Sequence, residues 1–92
     1  MRRIYFADGR VQDLDRKHSL DELKKLCGFK WADLVHRVVD GKHLMVVDDE
    51  GHLKGGQLIN KEATKLYHSV CVPGTTHVIV GNVAVVPDGD IR

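Results

Sequence analysis

The segment Lys42–Asn60, KHLMVVDDEGHLKGGQLIN, constrains the fold more than any other part of the chain. Leu44-Met45-Val46-Val47 is apolar at four successive positions, so a strand there offers both of its faces for burial. Asp48-Asp49-Glu50-Gly51 stops the strand with turn-forming residues and three carboxylates. Gly55-Gly56 frees the backbone for an unusual conformation or a close approach, and Asn60 has the chemistry of a helix cap. The segment therefore reads as strand, turn, loop and helix start, with a surface site most readily built on its loop.

An Asp-Gly pair precedes this strand. Leu34 to Val39 is strand-like, Asp40-Gly41 is a hairpin-turn dipeptide, and Lys42 to Asp48 returns. The valine pairs at 38–39 and 46–47 predict that this hairpin is central in the sheet. His52-Leu53 extends it beyond the acidic turn. The same signal occurs at the amino end. Arg3 to Ala7 and Arg10 to Leu14 flank Asp8-Gly9, predicting a two-residue turn, with Ile4, Phe6, Val11 and Leu14 competing for the inner face.

Two helices fit between the strands. Ser19-Leu20-Asp21-Glu22 is a capping box, in which the serine oxygen accepts from the amide three residues on and Glu22 reaches back. Leu20, Leu23 and Leu26 form one stripe with Cys27 beside it, and Gly28 is a natural stop. Helix 20–27 follows. A second helix begins at Asn60, with Ala63, Leu66, Tyr67 and Val70 at amphipathic spacing and Pro73-Gly74 as its end. The closing stretch 77–86 is read as one bent strand kinked at Gly81-Asn82, with a third two-residue hairpin at that pair as the alternative, and the tail from Asp88 as frayed.

These elements predict an α+β domain over residues 1–92, a mostly antiparallel sheet of four to six strands with two short helices on one face. Leu20, Leu23, Leu26, Leu34, Val38, Val46, Leu66, Val78, Ile79 and Val85 would form the core, and Phe29 and Trp31 would cover the sheet where the first helix joins it. Residues 78–86 contain no charge, leaving a strand that needs protection at its edges. The expectation is a homodimer with an interface at Val83 and Val85.

Composition excludes several classes. Ninety-two residues with a formal net charge of +1 make neither a strongly basic nor an acidic chain. No apolar run approaches the ~20 residues of a membrane span. The amino end lacks the long apolar region of a signal peptide, so a cytoplasmic location is expected. Cys27 and Cys71 are then expected as free thiols.

The order SLDELKKLCG, LMVVDDEGHLKGG, NKEATKLY and HVIVGNVAVV resembles a family of short bacteriophage and mobile-element proteins of unknown function. Its pattern is carried here by Asp49, Glu50, Gly51, Asn60, Ala63, Thr64, Leu66, Tyr67 and Gly81, over residues 19–86. The chain lacks the proline that such members often carry in the loop 54–58. The resemblance implies a phage accessory protein and carries no activity with it.

Chemistry-bearing candidates remain incomplete at the level of sequence. His68, Cys71 and His77 resemble part of a ligand set, but structural zinc takes four ligands, often in two close pairs, so no metal or other cofactor is expected. Cys71 with either histidine, oriented by Asp48 or Asp49, would suit a nucleophile and base, and a small hydrolase is the least favoured reading. Asp48-Asp49-Glu50 lacks the spacing of a calcium loop. Lys54, Gly55, Gly56 and Asn60 have the ingredients of an anion or nucleotide site. Arg2, Arg3, Arg10, Arg16 and Lys17 with Tyr5 and Phe6 form a basic, aromatic amino end diluted by Asp8, Asp13 and Asp15. The leading expectation is a non-enzymatic protein that binds a host or phage protein, in counter-defence among other settings. The alternative is a small-ligand or nucleic-acid module using the Gly55–Asn60 loop.

Overall fold

A computed structural model describes residues 1–50, 58–71, 74 and 76–91. Five strands form one antiparallel sheet: β1 (Arg3–Tyr5), β2 (Val11–Asp13), β3 (Ala32–Val38), β4 (His43–Asp48) and β5 (Val83–Pro87). Their order is β2-β1-β5-β4-β3. The last strand thus lies in the middle, between two sequence-local hairpins. Helix α1 (Leu20–Cys27) links β2 to β3, and α2 (Lys61–His68) links β4 to β5.

The two helices lie on opposite faces, which corrects the one-face expectation. Ile4, Leu44, Val46, Ala84 and Val86 pack with Leu23 and Cys27 of α1. Met45, Val83 and Val85 pack with Ala63 of α2, and Leu66 and Tyr67 close over them. Alternate residues of β4 and β5 point to opposite sides, and residues 44–46 and 83–86 are all buried. Two apolar faces need two covers, so a single helical layer cannot satisfy this sheet.

Central placement also removes the reason for a dimer at the closing strand. Val83 and Val85 are buried in the chain's own core, and β5 is paired on both edges, by β1 and by β4. The open edges are β2 and β3 instead. On β3, Trp31 accepts from the amide of Asp49, so in this register Ala32, Leu34 and His36 turn their main-chain groups outward. The Leu34 amide is covered by the Asp33 carboxylate at 2.9 Å, and the register breaks between His36 and Val38. A side-chain cap and a bulge blunt this edge against pairing.

The helix ends agree with the sequence. The Ser19–Glu22 capping box is formed in both directions, and Gly28 closes α1 with φ of 86°. Asn60 caps α2 by accepting from Ala63.

Several other expectations change. The β1–β2 turn has three residues, Ala7 to Gly9, because Gly9 donates to Phe6 and the Phe6 amide to Arg10; Gly9 takes the positive φ of a bulge. The β3–β4 loop spans residues 39–42 between paired Val38 and His43, longer than a primed two-residue turn. This hairpin flanks β5, with β3 at the sheet edge. Val80 makes an isolated bridge to Ile59, and the strand proper starts only at Val83. Leu26, Val11 and Val70 are exposed, and Trp31 is 57% exposed, while Phe29 alone is buried with α1. The tail is anchored: residues 88–90 form a 3-10 turn, and buried Asp90 accepts from Nε and Nη2 of Arg2 at 2.6 and 3.1 Å. Helix α2 ends at His68, capped at Ser69, short of the expected stop at Pro73-Gly74; the expected strand extension at His52-Leu53 lies outside the described residues.

Candidate functional site

Asn60 is the one member of the expected loop site within the described residues; Lys54, Gly55 and Gly56 lie outside them. Its side chain is fully committed to the fold. The amide nitrogen donates to the carbonyls of Tyr5 at 2.8 Å and Gly81 at 2.9 Å, and the oxygen accepts from Ala63 at 3.1 Å. Thr64 extends the junction: its hydroxyl donates to the Asn60 carbonyl and accepts from Ile79. Asn82 mirrors it, accepting from the Ala7 amide and donating to the Cys27 carbonyl. Asn60 is therefore a positioning residue that fixes the amino end of α2 against β1.

That junction creates a groove. The β1–β2 turn stands on one side, and residues 59–62 on the other. A cavity of about 280 Å³ lies between them, lined by Tyr5, Phe6, Arg10, Val11, Ile59 and Lys61 among others. Val11 and Ile59 are 50% and 52% exposed, and Leu58 next to Ile59 is exposed as well. Val11 reaches this position from a short edge strand, and Ile59 is held by its bridge to Val80. Arg10 lies over the Phe6 ring at 4.6 Å and is paired with Asp8 at 2.7 Å. The Asp8 carboxyl is held below its ordinary range, first by the Arg10 amide and then by the Arg10 guanidinium. Glu62 is paired with Lys65 at 3.4 Å.

No family model, curated protein or solved structure matches the chain.

Among the described residues the groove's lining holds neither histidine nor cysteine, and its two carboxylates there, Asp8 and Glu62, are ion-paired. A volume of about 280 Å³ is at or below the small end of sites that enclose a small molecule. Its walls are apolar at Val11 and Ile59, and its rim is charged at Asp8, Arg10, Lys61 and Glu62.

The other candidates are placed as follows. His68 bonds through its ring nitrogen to the His77 carbonyl oxygen at 2.6 Å. The Tyr67 phenol is raised above its ordinary pKa, first by its hydrogen bond to the Cys71 thiol and then by burial. Cys27 and Cys71 are free thiols, and burial pushes Cys27 up to about 12. Among the described residues, no three His, Cys, Asp or Glu side chains are grouped to hold a metal ion. The Asp48 carboxylate folds its own turn by accepting from the Glu50 amide. The four arginines of the basic amino end are paired, Arg2 with Asp90, Arg3 with Asp13, Arg10 with Asp8 and Arg16 with Glu22. Among the described residues, no helix is long and apolar enough to cross a membrane.

Sequence reasoning missed Val11 and Ile59. Val11 looks like an inner-face residue of a hairpin, and Ile59 lies outside any periodic pattern. Their shared exposure arises only when α2 docks on β1.

Proposed function

We propose that this chain is a non-enzymatic binding protein that engages a segment of another protein through the groove between the β1–β2 turn and the start of α2. One observation carries the reading: Val11 and Ile59, from elements far apart in sequence, remain half-exposed on the two sides of one cavity. Apolar side chains gathered in a concavity with an arginine stacked on an aromatic ring are the ingredients of a protein-binding hot spot. The resemblance to short bacteriophage and mobile-element proteins extends the proposal to an accessory protein acting in the host cytoplasm on a host or phage protein, with counter-defence one such role.

A second reading draws on the same groove. It opens onto the amino end of α2, where Lys61 has no ion-pair partner among the described residues. That arrangement would suit a small anionic ligand or a nucleic-acid phosphate.

Capture from native cells with the whole chain as bait separates the two. Val11→Glu and Ile59→Asp change the walls without touching the core. Protein binding predicts a discrete protein retained by the wild type and lost from both variants at unchanged melting temperature. Retention by both variants would contradict the groove. Co-purifying nucleotide or nucleic acid, lost on Lys61→Glu, would favour the second reading.

A further inference from the structure

The β3–β4 tip carries the least economical backbone in the described chain. Arg37 and Val39 both have positive φ, 63° and 64°, followed by Gly41 at 80°. A left-handed conformation is rare for any residue with a Cβ and an outlier for a β-branched one. The Arg37 bulge has a folding role, because it blunts the open edge of β3. Val39 has none of that kind. It lies beyond the last strand pair, Val38 with His43, in a turn position that asparagine or glycine would fill with less strain. Burial offers no compensation, since Val39 is 50% exposed. A residue that breaks a local rule without an internal gain points to a contact outside the chain.

The charges around it define that contact. The Asp40 carboxylate is occupied by the Lys42 amide and the His43 ring, both at 2.9 Å. Asp88 faces His36 at 3.9 Å. Arg37 and Lys42 are exposed and have no ion-pair partner among the described residues. The tip therefore presents one aliphatic side chain between two open cations.

We infer that the 37–42 tip is a second recognition surface, complementary to an acidic protein segment that carries an aliphatic side chain beside its carboxylates. The tip stands at the end of the sheet away from the groove: His43 pairs with Pro87, whereas Tyr5 pairs with Val83. The inference is thus independent of the groove reading.

Selection of a random peptide display library on the immobilised full chain tests it. The selected peptides should be enriched in Asp or Glu adjacent to Leu, Ile or Val. A representative synthetic peptide should bind Arg37→Ser and Val39→Asn at least tenfold more weakly than the wild type, and Ile59→Asp with unchanged affinity. Val39→Asn should also melt at a higher temperature than the wild type, because asparagine tolerates the left-handed backbone. Selection without acidic enrichment, or binding indifferent to Arg37 and Val39, would overturn the inference. So would binding lost on Ile59→Asp, or a lower melting temperature for Val39→Asn.

Discussion

The side-chain amide of Asn60 donates to the main-chain carbonyl of Tyr5 at 2.8 Å, across 55 positions of sequence. This bond joins the start of α2 to β1 beside the groove between them. Asn60→Ala removes a helix cap and leaves the Tyr5 and Gly81 carbonyls short of a donor. The expected cost is about 2–4 kcal/mol, read by denaturant unfolding. Asn60→Asp keeps an acceptor for the Ala63 amide but brings a charge against two carbonyl oxygens. It should be no more stable than the alanine variant. A near-wild-type aspartate variant would mean that the two carbonyl contacts contribute little.

Acid should unfold the domain through its carboxylates. Arg2, first by its hydrogen bond, holds Asp90 below the ordinary range. Arg16 and then the Ser19 amide bring Glu22 down to about 2. The His43 ring and the Lys42 amide lower Asp40. A carboxylate whose pKa is lower in the folded chain contributes fully above its unfolded value of about 4, and the contribution is lost as pH falls through the folded value. Melting temperature should be level from about pH 7 to 5 with respect to these groups and fall from about pH 4 towards 2. Asp90→Asn should melt below the wild type at pH 7, with the gap narrowing in that acid range. A constant gap across the titration would remove Asp90 from the account.

Much of this architecture is legible in sequence where the determinants are local. The Ser19–Glu22 box, the Gly28 stop and the Asn60 cap lie within a few residues of the groups they bind, and the Asp-Gly pairs mark both hairpins. Loop lengths are less legible, since Gly9 and Gly41 take positive φ in turns longer than two residues. What stays hidden is pairing at a distance. Nothing near Asp90 announces that Arg2 will hold it, so the tail looks frayed. Nothing near Val83 announces that strands from both hairpins will flank it, so an uncharged run looks like an edge in need of a second chain. The unbroken burial of residues 44–46 and 83–86 does imply two covered faces, and hence helices on opposite sides.

The two thiols should differ sharply. Cys27 is buried with its pKa pushed up to about 12, whereas Cys71 is only half-buried. Reaction with an aromatic disulfide reagent at about pH 8 requires thiolate and access. One thiol per folded chain should react promptly, and the second only on unfolding. Cys71→Ser should abolish the prompt phase. Two equal prompt thiols would contradict the packing of α1.

Gly41 has open space around a Cβ, yet φ of 80° penalises any β-branched side chain. Gly41→Val should cost about 1–3 kcal/mol by denaturant unfolding. Gly89, which also has open space around a Cβ but no positive φ, should accept alanine with little change. An unaffected Gly41→Val variant would contradict the turn geometry.

The central claim is that the groove beside Ile59 contacts another protein. A photo-crosslinking amino acid placed at position 59 of the whole chain, and separately at exposed Leu26 on α1, tests it in native cells. The account predicts one discrete protein adduct from position 59, absent from position 26 and abolished by Val11→Glu. No adduct from position 59, or the same adducts from both positions, would contradict it.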